Sequence, residues 1–235
     1  MSDHFKQIYQ SQADNYERLV SREDYHGNLF GALNEIHPLD QTSIVDIGTG
    51  TGRLTRLLSV IARQIVAFDL APEMLQIAHQ NMIESGMENW SFAQADNRFL
   101  PLPASIVDIA IEGWSFGHTV GWHPDQWPSY IGQMIHEMDR VLKPGGTAIL
   151  LETLGTGNRK PQPPTPGLAE LYQWLETEQG FSFQWIRTDY QFANLDEAEN
   201  LVRFFFGDEL AERVRTESLI VLPECTGIWS RQKQV

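Results

Sequence analysis

The sequence predicts an α/β protein built on an open, doubly wound sheet, and two observations carry the prediction. The first is the stretch 43–53, Ser-Ile-Val-Asp-Ile-Gly-Thr-Gly-Thr-Gly-Arg. Ile44, Val45 and Ile47 form a short apolar run broken only by Asp46, the pattern of a strand buried on both faces. Gly48, Gly50 and Gly52 follow at alternate positions, and Leu54, Leu57, Leu58 and Ile61 then recur at helical spacing. The order is therefore strand, glycine-rich turn, helix. The second observation is that apolar runs of strand length recur at 64–69, 90–95 and 105–111, separated by helical patterns or loops. Glycine suits a sharp turn that a ligand must approach closely. The helix behind it offers free N–H groups and a positive dipole end.

Composition narrows the function. The 235 residues suit one large domain, or one domain with a cap. A hydrophobic share of 42% and a charged share of 20% fit a soluble globular enzyme. The net charge of −14 repels phosphate backbones and anionic bilayers, so neither nucleic acid nor membrane is an expected partner. A single cysteine, Cys225, excludes an internal disulfide and suits a reducing compartment. The opening Met-Ser-Asp-His-Phe-Lys lacks the pattern of an export signal. No apolar run approaches the ~20 residues of a membrane span. The expected location is cytoplasmic.

The spacing of the glycines discriminates between cofactors. A dinucleotide fingerprint, G-x-G-x-x-G, needs a small residue where Arg53 stands. Val45-Asp-Ile-Gly-Thr-Gly-Thr-Gly-Arg53 instead resembles motif I of class I S-adenosylmethionine-dependent methyltransferases. That resemblance implies cofactor contacts from Asp46, Gly48, Thr49, Gly50 and Gly52.

The other elements follow in order. Residues 4–20 read as one amphipathic helix with Phe5, Ile8, Tyr9, Ala13, Tyr16 and Leu19 on its apolar side. A second helix is expected over about 24–36, with Pro38 beyond its end. Tyr9-Gln-Ser-Gln-Ala-Asp-Asn-Tyr16-Glu17 resembles the Y-D-x-x-A-x-x-Y-D motif of the family's small-molecule branch, departing from it at Gln10 and Glu17. The likeness implies that Tyr16 lies near the cofactor's methionine part. Arg22, Tyr25 and His26 are candidates for the substrate pocket.

Strand 64–69 ends in Asp69, about twenty residues past the glycines, where an acid suits either ribose hydroxyls or a helix cap. The resemblance favours ribose. Pro72 opens the next helix, which stops near Gly86. Leu70 or Met74 is expected against the adenine or in the core. Strand 90–95 leads to Asp96-Asn97; the residues alone fit a turn, and the resemblance implies adenine recognition.

The fourth strand, 105–111, ends in Glu112-Gly-Trp-Ser-Phe-Gly-His118. In the family this strand end lies at the switch point of the sheet, where ligands bind. Residues 112–127 are therefore expected to form a loop bearing the reactive methyl group and the acceptor. Glu112 is a cofactor candidate, and His118 and Glu112 are candidate acid–base groups. Tyr25, His26, Trp114, Phe116 and His118 are the candidate substrate contacts. His118, His123, Glu112 and Asp125 match no strong zinc spacing, and no metal is expected.

Residues 124–142 read as a helix that runs into the turn Leu142-Lys-Pro-Gly-Gly146 and a fifth strand at 147–151. The loop 155–167 brings Arg159 and Lys160, candidates for an acidic acceptor. Helix 168–178 and strand 181–190 follow. Helices over 195–214, broken at Gly207-Asp208, are expected to form a lid. The last strand, 219–229, is interrupted at Pro223.

With the resemblance added, the expected fold is a Rossmann-like seven-stranded mixed sheet, order 3-2-1-4-5-7-6, with helices on both faces. One domain is expected over 1–235: an N-terminal helical cover (1–40), a cofactor-binding core (41–155) and C-terminal strands with a lid (156–235). The implied activity is methyl transfer from S-adenosylmethionine to a small organic acceptor, with a homodimer left open. Its rivals are a non-catalytic S-adenosylmethionine-binding sensor or partner subunit, and a nicotinamide-dependent oxidoreductase, which Arg53 disfavours.

Overall fold

The computed structural model describes residues 2–234, with side chains from residue 4 onward. Nine strands occur among them: β1 (Ser43–Ile47), β2 (Gln64–Asp69), β3 (Trp90–Gln94), β4 (Val107–Gly113), β5 (Leu142–Thr153), β6 (Ser182–Arg187), β7 (Tyr190–Gln191), β8 (Val221–Leu222) and β9 (Cys225–Gln232). Ten helices occur: α1 (Ser2–Ser11), α2 (Ala13–Val20), α3 (Asn28–Ile36), α4 (Arg53–Leu58), α5 (Pro72–Ser85), α6 (Phe116–Trp122), α7 (Trp127–Val141), α8 (Pro166–Thr177), α9 (Leu195–Phe206) and α10 (Asp208–Thr216).

Seven strands form one sheet in the order β3-β2-β1-β4-β5-β9-β6. The first five are parallel. β9 runs antiparallel to both β5 and β6. Numbered within this sheet alone, the order is 3-2-1-4-5-7-6, as expected from the sequence. β7 and β8 form a separate two-residue ladder.

Side-chain alternation along the strands divides the apolar residues between two faces. Val45, Ile47, Ala110, Ala148 and Leu150 join Ile131, Ile135 and Met138 of α7 and Leu171 and Leu175 of α8 on one face. Ile44, Ile65, Ile109, Ile111, Ile149 and Leu151 join Leu29 and Leu33 of α3 and Leu54 and Leu58 of α4 on the other. A fully buried aliphatic side chain contributes about 1.5–3 kcal/mol. Burial on the sheet, more than intrinsic propensity, therefore holds helices as short as α4. A third cluster gathers Leu19 of α2 with Ala198, Leu201, Val202, Ala211 and Val214 of α9 and α10.

Three local features depart from the sequence reading. The N-terminal segment is two helices, broken at Gln12 (φ −136°, ψ 33°). The break lets α1 set Phe5 and Tyr9 against His118 while α2 turns Leu19 into the third cluster. α3 starts at Asn28 instead of near 24, because Asp24 caps it from outside: its carboxylate accepts from Asn28 N (2.9 Å) and Leu29 N (3.0 Å). The expected loop 112–127 contains helix α6. Buried carboxylates accept its first N–H groups, Glu112 from Phe116 (3.3 Å) and Glu152 from Gly117 (2.6 Å). Among the described residues, no helix is long and apolar enough to cross a membrane.

Candidate functional site

The carboxyl ends of β1, β2 and β4 converge on the glycine turn. Gly48 adopts φ +72°, and a Cβ there would lie 2.6 Å from Ser115 Oγ, so the end of β4 leaves no room for a side chain. Gly50 adopts φ +56°, and a Cβ on it would meet only the Tyr16 ring, at 3.9 Å. Gly52 caps α4 and faces Ala78 of α5. Below the turn, Asp46 Oδ2 accepts from the hydroxyls of Thr49 (2.7 Å) and Thr55 (2.7 Å) and from Thr55 N (3.1 Å). Its Oδ1 has no partner, and burial pushes the carboxyl up to about 6.

Asp69 closes the turn from β2. Its Oδ2 accepts from Gly50 N (2.8 Å) and its Oδ1 from Ala71 N (2.8 Å), while burial raises its pKa. A carboxylate has about four lone-pair sites, so these two bonds leave capacity for ligand hydroxyls. Leu70 beside it is 63% exposed, an apolar shelf at the strand end. Asn97 lies against Gly48. Asp96 is gripped by Arg98, whose Nε (2.9 Å) and Nη2 (2.5 Å) donate to its two oxygens and hold its carboxyl below the usual range. Glu112 is fully buried: its Oε2 accepts from Ser115 N (3.1 Å) and Ser115 Oγ (2.8 Å), and its Oε1 has no partner. Burial, with repulsion from Asp46, pushes it up to about 8.

Beside the turn lies a cavity of about 1430 Å³. Phe5, Tyr9 and Tyr16 line it from α1 and α2, Trp114, His118 and Trp122 from the segment after β4, and Phe205 and Phe206 from α9. The rings interlock: Phe5 contacts His118 and Phe205 at 5.1 Å each, and Tyr16 contacts Tyr9 at 5.5 Å and Phe205 at 5.6 Å. His118 Nε2 shares a 2.5 Å hydrogen bond with the Tyr9 hydroxyl, and its ring stacks on Trp122 at 5.2 Å. Burial pushes the imidazole down to about 4, so it is neutral near pH 7. Burial also raises the Tyr9 phenol, aided by Tyr16, Asp69 and Glu152.

The floor of the cavity is polar. Arg53 places its guanidinium 4.2 Å from the centre of the Trp114 ring, and its Nη1 donates to Glu23 (2.6 Å). Glu23 also accepts from the hydroxyls of Tyr190 (2.9 Å) and Thr188 (3.0 Å). Glu224 Oε1 accepts from the Thr153 hydroxyl (2.7 Å). Glu152 reaches the cavity from the end of β5, and burial beside Glu112 raises it well above the usual carboxylate range.

The structure thus gathers Asp46, Gly48, Thr49, Gly50, Asp69, Asn97 and Glu112 at one turn, with Tyr16 above it and Trp114 and His118 in the cavity. Other candidates stand apart. Tyr25 is 39% exposed and stacks on His26. Its backbone follows Asp189 (N to O, 3.3 Å), so neither residue lines the cavity. Phe116 is buried in the core with Trp127. Arg159 and Lys160 also lie outside the lining, although Gly155 and Asn158 of their loop belong to it. Glu23, Glu152 and Glu224 escaped sequence reasoning, and Arg53 was read only as a departure from a motif. One signal was available: Glu152 ends the apolar run 148–151 near a strand's carboxyl end, as Asp69 ends β2. Among the described residues, no group of three or more His, Cys, Asp or Glu side chains is placed to hold a metal ion.

Comparison with known proteins adds the following. Residues 44–146 match a family model described as a methyltransferase domain. A 119-residue stretch is 35% identical to the biotin biosynthesis bifunctional protein BioHC of Cellvibrio japonicus, covering 51% of this chain and 21% of that protein. Over 146 residues the chain is 27% identical to malonyl-[acyl-carrier protein] O-methyltransferase of Yersinia pestis, covering 62% of this chain and 48% of that protein. The match therefore spans a fifth to a half of the length of these two curated relatives. A SAM-dependent methyltransferase structure from Aquifex aeolicus aligns over 88% of this chain and 93% of its own, with a TM-score of 0.55 and 17% identity, a likeness of fold.

Proposed function

We propose that this chain, whose residues 44–146 match a methyltransferase-domain model, is a class I enzyme that moves a methyl group from S-adenosylmethionine to a small organic acceptor. The observation that carries the reading is the open turn at Gly50, bordered by Asp69 and Leu70, next to an aromatic cavity of about 1430 Å³. Gly48, Gly50, Asp69, Leu70 and Asn97 would hold the cofactor, with Tyr16 over it. When bound, the cofactor supplies a methyl group activated on a sulfonium.

The chain's own task is to orient the acceptor and keep water away. Aromatic faces at Tyr16 and Trp114 attract positive charge. The Tyr9–His118 pair is a neutral donor and acceptor within the cavity, able to hold a proton-bearing acceptor in place. A general base is needed only when the acceptor arrives protonated. Sites for small molecules measure about 300–1,000 Å³, so the cavity is roomy enough for such an acceptor. The net charge of −14 supports a dissolved acceptor over nucleic acid or a bilayer surface.

Calorimetry tests the cofactor: S-adenosylhomocysteine should bind and NAD should not, and the reverse result overturns the reading. Labelled methyl transfer to pooled small metabolites, tRNA and protein tests the acceptor. Label in tRNA or protein alone would remove the small-molecule assignment.

A further inference from the structure

Glu152 stands near the carboxyl end of β5, lines the aromatic cavity and is only 3% exposed. Its Oε1 accepts from Gly117 N at 2.6 Å, whereas its Oε2 takes no hydrogen bond from any described residue. A Cβ on Gly117 would lie 2.7 Å from that second oxygen, so α6 presents bare backbone to it. An ionised carboxylate only accepts, so what Oε2 lacks is a donor. The charges around the cavity point to the kind of donor. Five glutamates line it: Glu23, Glu152, Glu170, Glu209 and Glu224. Two arginines line it as well, and both already face acids, Arg53 with Glu23 (2.6 Å) and Arg213 with Glu217 (3.0 Å). Among the described residues, no Lys or Arg lies within ion-pair distance of the other four glutamates. Glu170 and Glu209 are exposed, where acids draw cations toward a cleft. Lys6 stands over Trp122 at 5.4 Å but is not part of the lining.

We infer that the acceptor is an organic amine, received as its ammonium by the Glu152 carboxylate against the aromatic walls of the cavity. It rests on the methyl-transfer reading and names the chemistry of the acceptor. An ammonium brings both the donor that Oε2 lacks and the positive charge that the four unpaired glutamates lack. Tyr9, Tyr16, Phe205 and Phe206 add rings to the walls, and aromatic faces attract an ammonium. A carboxylate or phosphate acceptor would bring further negative charge among these acids. A hydroxyl would satisfy Oε2 and leave the charge unanswered. Burial raises Glu152, and an adjacent cation restores its ionised form. One ammonium proton can then pass to Oε2, which leaves the nitrogen with the lone pair that methylation requires.

The test uses the full chain saturated with S-adenosylhomocysteine and three probes of matched shape: phenethylamine, phenethyl alcohol and phenylacetate. Calorimetry should show phenethylamine binding at least about tenfold more tightly than the other two, the equivalent of about 1.4 kcal/mol. Glu152→Gln keeps an oxygen for Gly117 N and removes the charge. It should erase the preference for the amine and leave the affinity for the alcohol nearly unchanged. Gly117→Ala is the second variant, because it keeps every acid, suits a helix and intrudes on Oε2. It should cost phenethylamine several-fold in affinity. Exchanging Glu170 and Glu209 together for glutamine separates a bound partner from a diffuse field. That change should weaken phenethylamine less than Glu152→Gln does, by an amount that added salt removes. Retained binding of S-adenosylhomocysteine shows that a variant is folded, and Gly117→Ala decides if Glu152→Gln is not. Equal or tighter binding of the alcohol or the acid, no binding of phenethylamine at millimolar concentration, an unaltered preference in either folded variant, or a Glu170–Glu209 effect as large as that of Glu152→Gln overturns the inference. Failure of the unaltered chain to bind S-adenosylhomocysteine defeats methyl transfer, whereas its binding without amine selectivity defeats only this assignment.

Discussion

Gly48 and Gly50 share a left-handed backbone for different reasons, and their substitutions should separate. A side chain in this conformation costs roughly 1–2 kcal/mol wherever it occurs. Gly48→Ala places its Cβ only 2.6 Å from Ser115 Oγ, so we expect a loss above about 3 kcal/mol from the two effects together. Gly50→Ala meets nothing closer than 3.9 Å. It should lower the melting temperature by only a few degrees, at roughly 2–4 °C per kcal/mol. Its methyl group stands on the open face of the turn, however, and should weaken S-adenosylhomocysteine at least about tenfold, about 1.4 kcal/mol. Calorimetry of both variants checks this; unchanged affinity in Gly50→Ala would show that the open face serves no ligand. The need for both glycines was legible in their spacing, but the reason for Gly48 was not, because Ser115 reaches it from the segment between β4 and α6, far along the chain. Arg53 was legible only as a residue too large for a dinucleotide turn. Its partner Glu23 follows α2, and no local pattern links the two.

At the scale of elements, α9 ties the N-terminal helices to the cavity. Phe205 touches Phe5 of α1 and Tyr16 of α2. Each aromatic pair is worth about 0.5–1.5 kcal/mol beyond the area it buries. Phe205→Ala should therefore loosen the docking of α1 and α2 together by about 1–3 kcal/mol, raising amide exchange there about 5- to 150-fold. Exchange in α7 should stay as it was. If α1 exchanges no faster, the helices do not depend on that clasp. The amphipathic pattern of 4–20 showed that the segment is helical. The break at Gln12 was invisible because no glycine or proline marks it; it exists to serve two docking surfaces at once. Helix α6 was missed because Gly117 and Gly121 depress its propensity, which buried carboxylates from β4 and β5 offset.

For the whole molecule, the buried acids set how stability depends on pH. Asp46, Glu112 and Glu224 are raised by burial from 3.8, 4.5 and 4.5 to about 6, 8 and 8. Their contribution is complete below the ordinary values and is lost as pH rises through the raised ones. His118 acts oppositely: lowered from 6.5 to about 4, it contributes above 6.5 and that share is lost as pH falls through about 4. The melting temperature should therefore peak at mildly acidic pH and fall toward about pH 9. Repulsion within a chain of net charge −14 acts in the same direction, so Glu112→Gln, which should flatten the alkaline limb, is the discriminating variant. An identical slope in that variant would sink the account. The sheet order itself was legible through the family resemblance, which local motifs such as 45–53 carry, while the polar floor depends on which strands become neighbours. That dependence reaches into biosynthesis. β9 follows β6 in the chain, yet it lies between β5 and β6, and within the sheet β6 pairs with β9 alone. Until β9 emerges, β6 has no ladder, Thr226 cannot meet Thr188, and Glu224 cannot be carried to Thr153. The glycine turn is encoded early and the floor of the cavity late, so a nascent chain can close the turn well before Glu224 and Thr153 meet.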